Sequence, residues 1–355
     1  MSIGDILNLL RRGEVRLPPL TFRLLTKSRP AGTDALIETL WKGRRYRFIA
    51  DIKSRSAPKY IRAGIATACE KAKPPKTFPM IIVPYLSEDQ LLDLEKKEVS
   101  GIDLSGNGLV LVPGQLFVLR TGKPNRYPEN LPIKNVYRRK ISMAGRVFLL
   151  RPRYKAVNEI QQEVKSRGGS LAISSVSKAV RRLEEDLIVG RESGVIRLLQ
   201  PDKLLEKLSG EYQAPSFRRT FVGKTSLELN QFVRRLSTIA QEKGNRVAVT
   251  GASSVTQYAL MAREQAISLY CSDIQSVVGS LLNESVLEET ERFVNVRISE
   301  TSDDLVYFDI RNTDGIPWAS PVQAYVELMA GDKRDRETAT QVAENLLMQM
   351  EVSRA

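Results

Sequence analysis

The sequence predicts a multidomain α/β protein in three blocks, on three observations. Strand-like and helix-like segments alternate over residues 1–130, which close in the turn-rich "TGKPNRYPENLP". A basic, helix-rich stretch covers 134–210. After "SGEYQAPSFRRTF" a second mixed block runs over 217–355. At 355 residues the chain exceeds one typical domain, and 42% hydrophobic with 27% charged residues supplies ordinary globular cores.

In the first block, "DALIETLW" and "RYRFIADIKS" read as strands joined by the turn "KGR". "SAPKYIRAGIATACEKAK" opens on a proline and places Ile61, Ile65, Ala68 and Cys69 at helical spacing. The nearly all-apolar "FPMIIVPYL" fits a buried parallel strand. "SEDQLLDLEKKE" is a helix with Ser87 as N-cap, and "GLVLVPG" and "QLFVLR" are strands. This alternation predicts an α/β sheet covered on both faces. In "GIDLSGNG", residues 101–108, Gly106 and Gly108 are expected at permissive φ values, with Asp103 and Asn107 closing Asx-type turns.

The middle block carries three helical pieces, "AGRVFLLRPR", "YKAVNEIQQEVKSRG" and "SSVSKAVRRLEEDL". Two short strands around "ESG" follow, which together make a winged helix-turn-helix. In the third helix Val176, Val180 and Leu183 form the inner stripe and Ser174 the N-cap. Ser175, Ser177, Lys178, Arg181 and Arg182 are left outward, as a DNA-recognition helix requires. Glu184, Glu185 and Asp186 turn its C-terminal end away from DNA. From Lys134 to Lys155 there are eight Lys or Arg residues and no acid. In that run Arg138, Arg139 and Lys140 either clamp duplex phosphates or are solvated linker charge.

The 54 Lys plus Arg against 41 Asp plus Glu give a formal charge of +13, which argues for an anionic partner, most simply nucleic acid, the alternative being a merely soluble basic protein. No apolar run approaches the ~20 residues of a membrane span. The N-terminal stretch lacks the pattern of a secretory signal. Cys69 and Cys271 lie far apart without ligand-like spacing, so a reducing cytoplasm is the expected location. The chain has no histidine. Hydrolytic chemistry would therefore rest on carboxylates, lysine and a hard metal such as Mg²⁺.

One stretch fits that chemistry. In "RYRFIADIKSRS", Asp51 and Lys53 share a strand face, and antiparallel pairing through "KGR" would bring Asp34 toward Asp51. Two carboxylates would hold Mg²⁺ while Lys53 orients water and offsets phosphate charge; the alternative is a solvated ion pair. Eight basic residues from Lys42 to Arg62 surround the single Asp51. The arrangement resembles the PD-(D/E)XK nuclease superfamily, with Asp34 as first acid and Asp51-Ile52-Lys53 as the acid-x-Lys element. That resemblance implies a restriction-endonuclease-like fold and a Mg²⁺-dependent DNA endonuclease. Asp5 and Glu14 are the acids available for its helical position.

A second resemblance is to AbiEi-like antitoxin-family regulators. "MIIVPYLSEDQLLDLEKKEVSGIDLSGNGLVLVPGQLFVLRTGKPN" looks like the strand, helix and turn that precede their winged helix. "SSVSKAVRRLEEDLIVGRESGVIRLLQPDKLL" is similar to that winged helix. "RVAVTGASSVTQYAL" and "GIPWASPVQAYVELMAGDKRDRETATQVAENLL" are similar to the C-terminal domain. The resemblance implies a DNA-binding regulator whose C-terminal domain docks a protein partner, such as a toxin or defence component. "SPVQAYVELMAG" is either that contact or a core helix. The domain also looks similar to nucleotidyltransferase folds, with "TGASS" in the place of the Gly-Ser element. No Asp-x-Asp pair follows, so the Thr250-Gly251 turn is expected to be structural. The leading expectation is duplex-DNA binding as a regulator, and the alternative is a DNA endonuclease.

Overall fold

The computed structural model describes residues 1–25, 32–127, 135–260 and 266–352. The chain is a mixed α/β protein in two compact units, Met1–Pro132 and Ile133–Ala355. The expected boundary at 130–134 lies outside the described residues, as does Lys134.

The first unit runs α1 (Ile3–Arg11), β1 (Phe22–Leu24), β2 (Ala35–Trp41), β3 (Arg44–Ile52) and α2 (Pro58–Lys71). It continues with β4 (Phe78–Val83), α3 (Glu88–Lys96), β5 (Ser100–Asp103), β6 (Gly108–Val112) and β7 (Leu116–Arg120). The strands form one seven-stranded sheet in sequence order, parallel across β3-β4-β5 and antiparallel elsewhere. Both faces are covered. Ile6 and Leu10 of α1 pack with Ile37, Phe48, Ile52 and Ile82 on one side. Ile61 of α2 and Leu91 and Leu94 of α3 pack with Ile81, Val83 and Leu109 on the other.

Local chemistry explains the elements. The β2–β3 hairpin turns on Lys42 and Gly43 alone, both at positive φ, as a right-twisted hairpin requires. Pro58 starts α2, where a missing N–H costs nothing. Ser87 and Gln90 form the capping box of α3. Gly106 has φ +100°, as expected, but Gly108 does not need a positive φ. A Cβ on Gly108 would lie 2.8 Å from the Gly101 carbonyl oxygen, so close strand approach demands that glycine.

The second unit begins with α4 (Met143–Arg146), β8 (Arg153–Tyr154), α5 (Val157–Ser166) and α6 (Ile173–Glu185). Next come β9 (Val189–Glu192), β10 (Val195–Leu198) and α7 (Pro201–Gly210). The expected helix over "AGRVFLLRPR" is a short α4 between two 3₁₀ turns, and Arg153–Tyr154 is a strand. Strand β8 adds antiparallel to the β9–β10 hairpin in the order β8-β10-β9.

The chain continues through β11 (Thr220–Thr225), α8 (Leu229–Glu242), β12 (Val247–Val249), α9 (Gly251–Ser254), β13 (Ile267–Cys271) and α10 (Ile274–Asn283). It ends with β14 (Leu287–Glu289), β15 (Val296–Glu300), β16 (Arg311–Thr313), β17 (Ile316–Trp318), α11 (Pro321–Met329) and α12 (Lys333–Val352). These strands form a mixed sheet in the order β14-β11-β15-β13-β12-β17-β16, with Phe232, Leu236, Val277 and Leu281 of α8 and α10 packed on it. One core then joins the early helices to α11 and α12: Val147, Val164, Val180 and Leu183 pack in the same cluster as Val322, Val326, Val342 and Leu346. That core crosses the boundary expected at 210–217. No helix among the described residues is long and apolar enough to cross a membrane.

Candidate functional site

The sequence-predicted acids meet at the end of the β2–β3 hairpin. Ala35 pairs with Ala50, so the next residues along, Asp34 and Asp51, stand opposite each other. An Asp34 Oδ2 atom accepts the Ile52 amide at 2.8 Å, while the Lys53 amide donates to the Ile82 carbonyl of β4. Asp51 thus lies where the antiparallel hairpin meets the parallel half of the sheet. Its side chain faces α2, where a Cβ on Gly64 would lie 3.0 Å from Asp51 Oδ1 and 3.4 Å from Lys53 Cε. The helix reaches the acid that closely because position 64 carries no side chain.

Asp51 is 6% exposed. Lys53 Nζ stands 2.7 Å from Oδ1 as an ion pair, and no other donor meets Oδ1 among the described residues. Burial raises the carboxyl's pKa above its ordinary 3.8. Lys53 and Lys71 oppose the rise and Asp34 adds to it, so Asp34 is near enough to be felt as charge. The helical acids do not join them in the way expected. Asp5 closes the capping box of α1 with Ser2, and Glu14, beyond that helix, pairs with Arg12 at 3.8 Å. Among the described residues no group of three or more His, Cys, Asp or Glu side chains is arranged to hold a metal. Two carboxylates are still a donor set of the kind Mg²⁺ takes, since that ion keeps several of its waters.

The second candidate is the exposed side of α6. Val176, Ala179, Val180 and Leu183 are buried, and Ser177, Lys178 and Arg181 are exposed on the opposite side. Ser175 is half-buried. The N-cap is two residues earlier than expected: Ala172 is the N-cap residue and makes no side-chain cap bond, so Ser174 is inside the first turn. Arg182 does not face outward freely. Its guanidinium meets Asp186 at 3.1 Å, and Asp186 also accepts the Tyr137 hydroxyl at 2.6 Å. Arg182 is therefore a packing cation under the helix end; the Asp186 pair has i,i+4 spacing, but the Tyr137 contact joins distant parts of the chain. Among the described residues Arg181 has one ion-pair contact, to Glu185 at 3.5 Å. On the neighbouring hairpin Arg191 is tied to Glu184 and Arg197 to Glu192.

Of the basic run, Arg138 and Arg139 are exposed, whereas Lys140 bonds Asp304 at 3.0 Å, which Arg246 also holds at 2.9 Å. Helix α11 is core: all its residues but Glu327 and Met329 are buried, which removes it as a partner contact. The amide of Ala252 in "TGASS" donates to the Glu327 carboxylate at 3.1 Å, and a Cβ on Gly251 would strike that carboxylate at 2.8 Å. The chain's own acid thus takes the helix start that a phosphate would need. Residue spacing alone could not reveal Glu327 in this role.

These features define a basic mixed α/β protein with an exposed cationic helix face and a buried, under-bonded acid. Residues 197–348, from β10 into α12, match the family described as "Transcriptional regulator, AbiEi antitoxin, Type IV TA system". That match supports the AbiEi-like resemblance over the C-terminal portion. No curated protein and no solved structure matches the chain.

Proposed function

We propose that the chain is a duplex-DNA-binding transcriptional regulator of the antitoxin type, built of segments 1–130, 134–210 and 217–355, the last two sharing one core. In this reading α4, α5 and α6 with the β9–β10 hairpin are a winged helix. The observation that carries it is the two-sided character of α6: a fully buried apolar stripe beneath exposed Ser177, Lys178 and Arg181. Such a helix can enter a major groove without giving up its core. The family match over 197–348 agrees with the regulatory role, and a protein partner would dock on the C-terminal domain outside α11.

The test is selection of duplexes from a random pool by the full-length protein, followed by gel shifts with the enriched site. Lys178→Ala or Arg181→Ala should weaken specific binding by ~1–3 kcal/mol if the side chain reads a base edge. A phosphate contact would lower affinity for all sequences and flatten the salt dependence. No enrichment, or wild-type affinity in the Lys178→Ala/Arg181→Ala double variant, would remove the reading.

A second reading has its own observation, the opposed Asp34 and Asp51 with Lys53 beside them. On it the first unit is a PD-(D/E)XK-like nuclease. Asp34 and Asp51 would hold Mg²⁺, which when bound supplies an activated water and charge neutralisation at phosphate. Lys53 would orient the water and offset charge on the phosphate. Metal-dependent nicking of duplex DNA, lost in Asp51→Ala and slowed in Lys53→Ala, supports this. Cleavage that persists in both Asp34→Ala and Asp51→Ala excludes it.

A further inference from the structure

A cavity of about 500 Å³ opens in the second unit, where the segment before α4, the end of α7 and the turn after β15 meet. Its size is that of small-ligand pockets, roughly 300–1,000 Å³. Arg146 lines it and is only 3% exposed. One arm of this guanidinium donates to the neutral Gln323 amide oxygen at 2.7 Å, and Nε has no hydrogen-bond partner among the described residues. Glu327, Asp303 and Asp309 act on its charge from a distance, but a buried cation whose hydrogen bond goes to a neutral amide still gains from an anion in direct contact. Burial accordingly lowers its pKa to about 10.

Two more guanidinium side chains, Arg138 and Arg139, line the same cavity, exposed and without an ion pair among the described residues. The fourth cation of the wall, Lys140, is spent on Asp304. Guanidinium forks match phosphate oxygens in geometry as well as charge. The wall is not uniformly basic. Glu211 and Asp303 also line it, and carboxylates are acceptors for sugar hydroxyls and base N–H groups. Half-buried Tyr212 adds an aromatic ring. Phosphate-binding forks, hydroxyl acceptors and a ring in one cavity describe the parts of a nucleotide.

We infer that this cavity binds a nucleoside monophosphate, its phosphate on Arg138, Arg139 and Arg146 and its sugar and base toward Glu211, Asp303 and Tyr212. The site is separate from the "TGASS" turn, whose Ala252 amide is taken by Glu327. Occupancy has a route to α6, because Tyr137, next to Arg138 in the cavity wall, bonds Asp186 at the end of that helix. Only this last consequence rests on the DNA-binding reading.

The experiment is calorimetric titration of the full chain with AMP, GMP, CMP and UMP, beside inorganic phosphate and adenosine, without DNA. At least one monophosphate should bind saturably and more tightly than phosphate or adenosine. The Arg138→Ala/Arg139→Ala double variant should weaken it by at least about tenfold, the scale of one lost charged hydrogen bond. Its substitutions are at exposed positions, so a melting curve matching wild type establishes that it is folded. Arg146→Lys, which keeps the charge and loses the fork, should weaken binding less. Lys178→Ala should bind the nucleotide as wild type does whatever it does to duplex affinity, which separates failure of this site from failure of the DNA reading. The inference is overturned if no monophosphate binds or if the double variant binds with unchanged affinity. It is equally overturned if the two arginines affect duplex binding alone, which would make them contacts to the DNA backbone.

Discussion

Asp51 and Asp103 are both buried in the sheet of the first unit, and their surroundings treat them in opposite ways. Asp103, 1% exposed, accepts five hydrogen bonds: from the amides of Ser105, Gly106, Asn107 and Leu86, and from the Asn107 side chain. Asp51, 6% exposed, has the Lys53 ammonium 2.7 Å from Oδ1 and no other donor to that oxygen among the described residues. A buried carboxylate whose lone pairs are all filled is a piece of architecture. One whose oxygen is left over is held in readiness for a ligand or is a cost the fold carries. The difference teaches that burial of an acid says little until its donors are counted.

The sharpest way to break that comparison is Asp103→Ala. It removes five bonds at once and strands three consecutive turn amides, so at least ~3–5 kcal/mol should be lost and the first unit should fail to fold near physiological temperature. A melting temperature within a few degrees of wild type would show that the turn does not depend on the acid.

Next in size is Arg182→Ala in α6. Among the described residues Asp186 would keep only Tyr137 as a side-chain partner, and breaking a buried pair from one side costs ~3 kcal/mol. Lys178→Ala, on the exposed side of the same helix, should change stability by no more than ~0.5 kcal/mol. Denaturant unfolding of the two variants separates a packing cation from a surface one. Equal losses would contradict the division of the helix drawn here.

A smaller effect is expected at Asp51, with a sign that depends on pH. Its folded pKa lies above the ordinary 3.8, so the native state holds the proton more tightly than the unfolded chain. Its contribution is therefore fully present below 3.8 and is lost as pH rises through the folded value. Asp51→Asn removes that dependence. The melting temperature of the variant relative to wild type should rise steadily from acid toward neutral pH. A difference that shrinks over that range would mean that Lys53 and the other cations outweigh desolvation.

The smallest effect sharpens the same site. Gly64→Ala gains about 1 kcal/mol of helix propensity but puts a methyl group 3.0 Å from Asp51 Oδ1. The two should nearly cancel in thermal unfolding. A clear gain would mean that α2 shifts easily away from the acid.

Much of this was legible in residue order because its causes are local. The hairpin at Lys42-Gly43, the Ser87 capping box, Gly106 and the buried stripe of α6 each depend on residues a few positions apart. Even the opposition of Asp34 and Asp51 follows from a two-residue turn and a strand period of two, which fix the register. Facts that join distant segments could not be read that way. Tyr137 reaching Asp186, Gln323 receiving Arg146 and Glu327 taking the Ala252 amide are pairings between residues 49 to 177 positions apart. Arg182 is a mixed case: its partner Asp186 lies four residues on, and only Tyr137, which meets the same carboxylate, is distant in the chain. Periodicity assigns a side chain to a face, but only the packed fold sets which donors and acceptors meet it there.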